Sequence, residues 1–209
     1  MSVAMADAGT ENGAPAPEAH APVESLRDLA EQASRVFPPG YRIEILGGSL
    51  IVSPTPLAKH NGIVRRIMMQ LESQLPESKV CFHTTSVESV ADDEDYAIPD
   101  LLVLPAEVED EEEWLFTADI VDLALEVVPK GNSTSDTVTK VGVYAQWGIP
   151  VYLLVDPRGG EIVLYSDPRE GEYRGVHRLK FGDPVELPEP LKDLTIDTSK
   201  FPLYRAKEA

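Results

Sequence analysis

The sequence predicts a mixed α/β (α+β) domain: a central mixed sheet flanked by helices, with one β-hairpin in front and another behind. Three observations predict it. Short, near-continuous apolar runs, LLVL at 101–104, LALEVV at 123–128 and VYLLV at 151–155, read as strands buried on both faces. A helical segment, Asp136 to Trp147, lies between the last two and is closed by Gly148 and Pro150. Upstream, Ile63, Ile67, Met68, Leu71 and Leu75 recur at helical spacing and define a second helix with one core-facing side. Strands and helices in this order pack as layers about one sheet.

Taken in order, residues 1–22 are rich in Ala, Pro, Gly and Glu without apolar periodicity, and are expected to form a disordered tail. Val23 to Phe37 reads as a short amphipathic helix with Leu26, Leu29 and Ala33 on one face, stopped by Pro38-Pro39-Gly40. Tyr41–Leu46 and Leu50–Val52 flank Gly47-Gly48 as a hairpin, because glycine supplies the positive φ of a tight turn. His60 to Leu75 is the first long helix. Lys79–Ser86 and Ile98–Leu104 are strands by composition. Ile162–Ser166 and Tyr173–Phe181 form a closing antiparallel pair around Asp167-Pro168 and Glu170-Gly171. The end of the chain, 201–209, is expected to be a second tail.

A chain of 209 residues with 43% apolar content supports one domain with a real core. No apolar run of membrane-spanning length occurs, and the start lacks a signal-peptide pattern, so a bacterial cytoplasmic protein is expected. A single cysteine, Cys81, excludes an intrachain disulfide and a cysteine-based zinc site. The formal net charge is −18. Its distribution decides what it means. Val80 to Pro129 contains no Lys or Arg and 15 acids; the other 21 acids face all 18 bases. The acidity is local, and it favours cations over phosphate. Asp92-Asp93-Glu94-Asp95 and Glu109–Glu113 read as solvated acidic loops.

Two acids stand out from those loops. Glu126 sits inside the apolar run 123–128, where an unpaired carboxylate costs several kcal/mol. It is tolerable only beside a metal, a basic partner or a polar crevice. Asp100 follows Ile98-Pro99 at the start of a neighbouring strand. Two carboxylates at adjacent strand ends can share one Mg²⁺, a hard cation that takes oxygen ligands and retains water. Lys140, on the helix after the Glu126 strand, is placed to assist that water. Plainer readings stand beside this one. Glu126 and Lys140 can form a structural ion pair. Asp136 and Lys140 can be an ordinary helix-surface pair, worth about 0.3–0.5 kcal/mol. Tyr144 and Trp147 can be packing residues, and His60 a helix-start residue.

The ordered set YRIEILGGSLIVSPTPLAKHNGIVRRI, AIPDLLVLP and LALEVVPKGNSTSDTVTKVGVYAQWGIPVYLLVDP resembles the restriction endonucleases of the bacterial Uma-two family, in the PD-(D/E)XK nuclease superfamily. The resemblance spans Tyr41 to Tyr165. It implies a restriction-endonuclease-like domain over residues 23–200. Asp100 takes the place of the PD aspartate and Glu126 that of the (D/E)XK acid. Val128 stands where the motif lysine would be, and Lys140 occupies the displaced position on the next helix. Glu44 matches an acid of the front hairpin and His60 a histidine of the first long helix. Asp136 and Tyr144 take supporting places. Pro129 and Leu153 depart from the commonest pattern without removing a ligand.

The implied activity is Mg²⁺-dependent DNA cleavage, with Mn²⁺ as a substitute. Asp100, Glu126 and the Val127 backbone carbonyl would bind the metal, and a homodimer would pool scattered basic residues. The competing expectation is a non-catalytic module on the same fold that binds a protein partner through acidic residues 88–113.

Overall fold

The computed structural model describes residues 25–91, 94–131 and 138–204. The expected N-terminal tail lies outside the described residues, as does Asp136. Helix α1 (Leu26–Val36) opens on a capping box, with the Asp28 amide donating to Ser25 Oγ at 3.1 Å and the Ser25 amide to Asp28 Oδ2 at 3.0 Å. The hairpin β1 (Arg42–Leu46) and β2 (Ser49–Ser53) follows, then α2 (Ala58–Glu72). Next come β3 (Lys79–Phe82), β4 (Ser86–Glu88), β5 (Tyr96–Ala97), β6 (Leu101–Pro105), β7 (Leu115–Thr117) and β8 (Leu123–Val127). Helix α3 (Lys140–Gln146) leads into β9 (Val151–Asp156), β10 (Glu161–Arg169) and β11 (Glu172–Lys180). A short pair, β12 (Val185–Glu186) and β13 (Thr195–Ile196), closes the described chain.

The strands form two main sheets. The larger has the order β11-β10-β9-β8-β6-β3, and β8–β9 is its parallel pair. The smaller has the order β2-β1-β5-β4-β7. The front hairpin therefore belongs to its own sheet, whereas the rear hairpin extends the central one. One expected strand is divided between the sheets and another starts later than expected. The expected 79–86 strand breaks at Thr84, whose φ of 62° turns the chain, so that β3 and β4 join different sheets. The expected 98–104 strand starts at Leu101, because Pro99 offers no amide for a ladder. Tyr96–Ala97 pairs instead with β1 and β4.

The apolar runs are buried on both faces, as their composition requires. Leu123, Leu125 and Val127 pack with Ile63, Ile67 and Leu71 of α2. Ala124 and Val128 pack on the opposite face with Val143 and Tyr144 of α3. A third cluster joins Ala30 of α1 to Ile43, Ile45 and Tyr96. Phe201, within the segment read as a C-terminal tail, is buried in the α2-side core, and Tyr204 is buried as well. Among the described residues no helix is long and apolar enough to cross a membrane.

Two local features carry predictions. Asp95, read as part of a solvated loop, is instead buried: its carboxylate accepts the amides of Gly47 and Gly48, the latter at 3.0 Å. These glycines have φ of 58° and 69°. Asp95→Ala should lower unfolding free energy by about 2 kcal/mol, since hydrogen bonds to a charged acceptor are the strong ones. Urea unfolding measures this, and an unchanged midpoint would contradict it. The buried Cys81 thiol is pushed well above the ordinary range by burial and by Glu72, whose Oε1 accepts the Cys81 amide at 2.9 Å. The native chain should resist thiol labelling at about pH 8 and react fully once denatured. Rapid labelling of the folded protein would refute that.

Candidate metal centre

The site is built where strands of both sheets meet α2 and α3. Side chains alternate along a strand, so Glu126 shares the α3-facing side of β8 with Ala124. Lys140 and Tyr144, one helical turn apart on α3, reach the same carboxylate oxygen. Lys140 Nζ is 2.7 Å from Glu126 Oε1, and the Tyr144 hydroxyl donates to it at 2.9 Å. Lys140 Nζ also lies 2.8 Å from Glu44 Oε1, which accepts the Ile98 amide at 2.7 Å. One buried ammonium thus bridges two buried carboxylates from different sheets. Burial, then Glu126 and Glu44, push the Tyr144 phenol well above its ordinary range, so it stays a donor.

Asp100 sits one step beyond the Leu101–Leu125 pair, opposite Glu126 across the β6–β8 ladder. Arg42 Nη1 is 2.7 Å from Asp100 Oδ1, and the Val127 amide donates to Oδ2 at 2.8 Å. The Val127 backbone is therefore at the site, through its N–H on Asp100. His60 Nε2 approaches Oδ2 at 2.9 Å. Burial alone would raise the Asp100 carboxyl. The contact with His60, the Arg42 guanidinium and the Val127 amide outweigh it and hold Asp100 well below the usual carboxylate range.

Glu44, His60, Asp100, Glu126 and Lys140 are all nearly inaccessible to solvent. Glu126 forms the buried ion pair with Lys140 that the sequence offered as its plainer reading, and that pair lies within a larger cluster. One participant was not anticipated. Arg42 alternates with Ile43 on the face shared with Glu44, a period-two signal already present in RIEIL.

Among the described residues, no group of three or more His, Cys, Asp or Glu side chains forms a ready-made metal cage. The donor set still fits a hard divalent cation, which commonly uses one or two carboxylates and fills its remaining positions with water. Asp100 and Glu126 supply the carboxylates. His60 Nε2 lies 2.9 Å from Asp100 Oδ2, beside the same carboxylate.

A mixed sheet flanked by helices, with Asp100 and Glu126 at adjoining ends of β6 and β8, is a restriction-endonuclease-like arrangement. The model of the family described as "Uma2: Putative restriction endonuclease" matches residues 23–199, and the chain belongs to that family. Among solved structures, the chain is similar to a crystal structure of "a putative nuclease belonging to DUF820" from Anabaena variabilis. The two are 16% identical with a TM-score of 0.65, over 82% of this chain and 96% of the other. That likeness concerns the fold. A search of curated proteins gives no match.

Proposed function

We propose that the protein is a divalent-metal-dependent DNA endonuclease with Asp100, Glu126 and Lys140 as its working residues. The observation that carries the proposal is the convergence of these three on one buried cluster. Asp100 and Glu126 would hold Mg²⁺ or Mn²⁺. The ion would polarise a phosphoryl oxygen and lower the pKa of a bound water.

The chain's own groups have separable tasks. Lys140 Nζ, between Glu126 and Glu44, is placed to orient the attacking water and to stabilise charge that develops at the phosphate. Tyr144 fixes Glu126, and the Ile98 amide fixes Glu44. Arg42, His60 and the Val127 amide set the direction of Asp100. They also hold it ionised, the form a cation needs.

Net charge opposes DNA binding, but one basic residue is well placed. Glu126, Leu154, Val163 and Arg178 occupy a single row across β8, β9, β10 and β11. Directly paired residues share a sheet face, so Arg178 lies on the Glu126 side, three strand spacings or roughly 14 Å away. That is about four base steps along one DNA strand at ~3.4 Å per step. The competing reading, a protein-binding module, is favoured by the exposed run Glu109–Glu113.

Supercoiled plasmid with Mg²⁺, Mn²⁺ or chelator separates them. Nicking is expected with either metal, and not with chelator or for Asp100→Asn. Equal nicking by wild type and Asp100→Asn would sink the nuclease reading.

A further inference from the structure

Beside the buried cluster, between α1 and the smaller sheet, lies a cavity of about 590 Å³. Its size is that of a small-ligand site, ~300–1,000 Å³. Arg42 forms part of its wall and is also the residue that holds Asp100, so the cavity and the candidate metal centre share a side chain. The lining carries two guanidiniums, Arg27 and Arg42, and one carboxylate, Glu31; each guanidinium is also paired at one terminal nitrogen, Arg27 Nη2 with Glu88 at 2.6 Å and Arg42 Nη1 with Asp100 at 2.7 Å. Guanidinium forks match phosphate oxygens.

The same cavity is lined by Tyr41, Tyr96 and Trp114. Trp114 is 62% exposed, although its ring stands edge-on to Tyr96 with centroids 6.1 Å apart. Tyr41 is 41% exposed. Exposed aromatic faces beside guanidiniums are the recurring equipment for single-stranded nucleic acid, in which bases are free to stack on side chains. Bases in a duplex have their faces covered.

We infer that this cavity is a nucleotide subsite that takes an unpaired base and its phosphate from single-stranded DNA adjoining the Asp100–Glu126 centre. The inference rests on the nuclease reading for its biological meaning, but not for its binding chemistry. Trp114 supplies the stacking face, and Arg27 and Arg42 the phosphate contacts. An unpaired segment beside the scissile bond is thereby the preferred substrate form.

The test uses the full chain in chelator, so that binding is read without cleavage. The probe is an oligothymidylate of about ten nucleotides, within the site sizes of single-strand binders. Tryptophan emission should fall saturably on titration. Only Trp114 and Trp147 contribute, and Trp147 packs against Tyr144 instead. Trp114→Ala should abolish the quench and weaken binding about 5- to 150-fold by fluorescence anisotropy of the labelled oligonucleotide, the loss of one stacked base. Arg27→Met should weaken it and flatten its salt dependence. Equal affinity of wild type and Trp114→Ala, or preference for a blunt duplex of the same length, overturns the inference. Metal-dependent nicking with no effect of Trp114→Ala on binding removes the subsite and leaves the nuclease. Trp114-dependent binding by a chain that never nicks removes the nuclease and leaves the subsite.

Discussion

Lys140→Met should unfold about 3–5 kcal/mol more easily than the wild-type chain and should not nick DNA. Lys140 is 2% exposed and bridges Glu44 and Glu126, which are equally buried. Methionine preserves much of the side chain's length and the helix propensity, so packing changes little. Two buried carboxylates then face each other without the ammonium between them. Desolvation, not loss of a contact, dominates the cost. Adding Glu126→Gln to Lys140→Met should recover much of the stability, because one of the two stranded charges is gone. It should recover no cleavage. Urea denaturation of the single and double variants measures the coupling directly. Additive effects would show that Lys140 and Glu126 are not a unit.

Glu126→Gln alone should give the opposite pattern. The amide oxygen can still accept from Lys140 and Tyr144, and Lys140 keeps Glu44. Stability should change by no more than about 1 kcal/mol. Nicking should fall on the order of 10²–10³-fold, because a neutral amide is a poor ligand for a hard cation and the transition-state charge loses its counterion. A variant that is stable yet inactive separates a functional carboxylate from a structural one. Thermal melting and a nicking time course, run together, check both halves. Proportionate loss of stability and activity would mark Glu126 as structural.

The sequence carried the central sheet and half of the site in readable form. An acid inside LALEVV is anomalous on physical grounds alone, because a strand buried on both faces has no solvent for it. Lys140 follows from the helix after that strand. Arg42 was legible in principle, since it alternates with Ile43, but its partner was not. Whether β1 meets Asp100 depends on Tyr96–Ala97, a two-residue strand too short to leave a pattern. The division into two sheets was hidden for the same reason. A single residue in the left-handed region, Thr84, separates β3 from β4. Asp95 was hidden inside a run of like residues, where composition describes the run and not the one member that turns inward.

Titration calorimetry with Mn²⁺ tests the central claim most directly: that the ion-paired cluster around Asp100 and Glu126 is a cation site. Wild-type protein should bind one ion per chain in the sub-millimolar range, with Mg²⁺ competing, and Glu126→Gln should show no binding at that site. Absence of heat for wild type up to several millimolar, or an unchanged isotherm for Glu126→Gln, would contradict it.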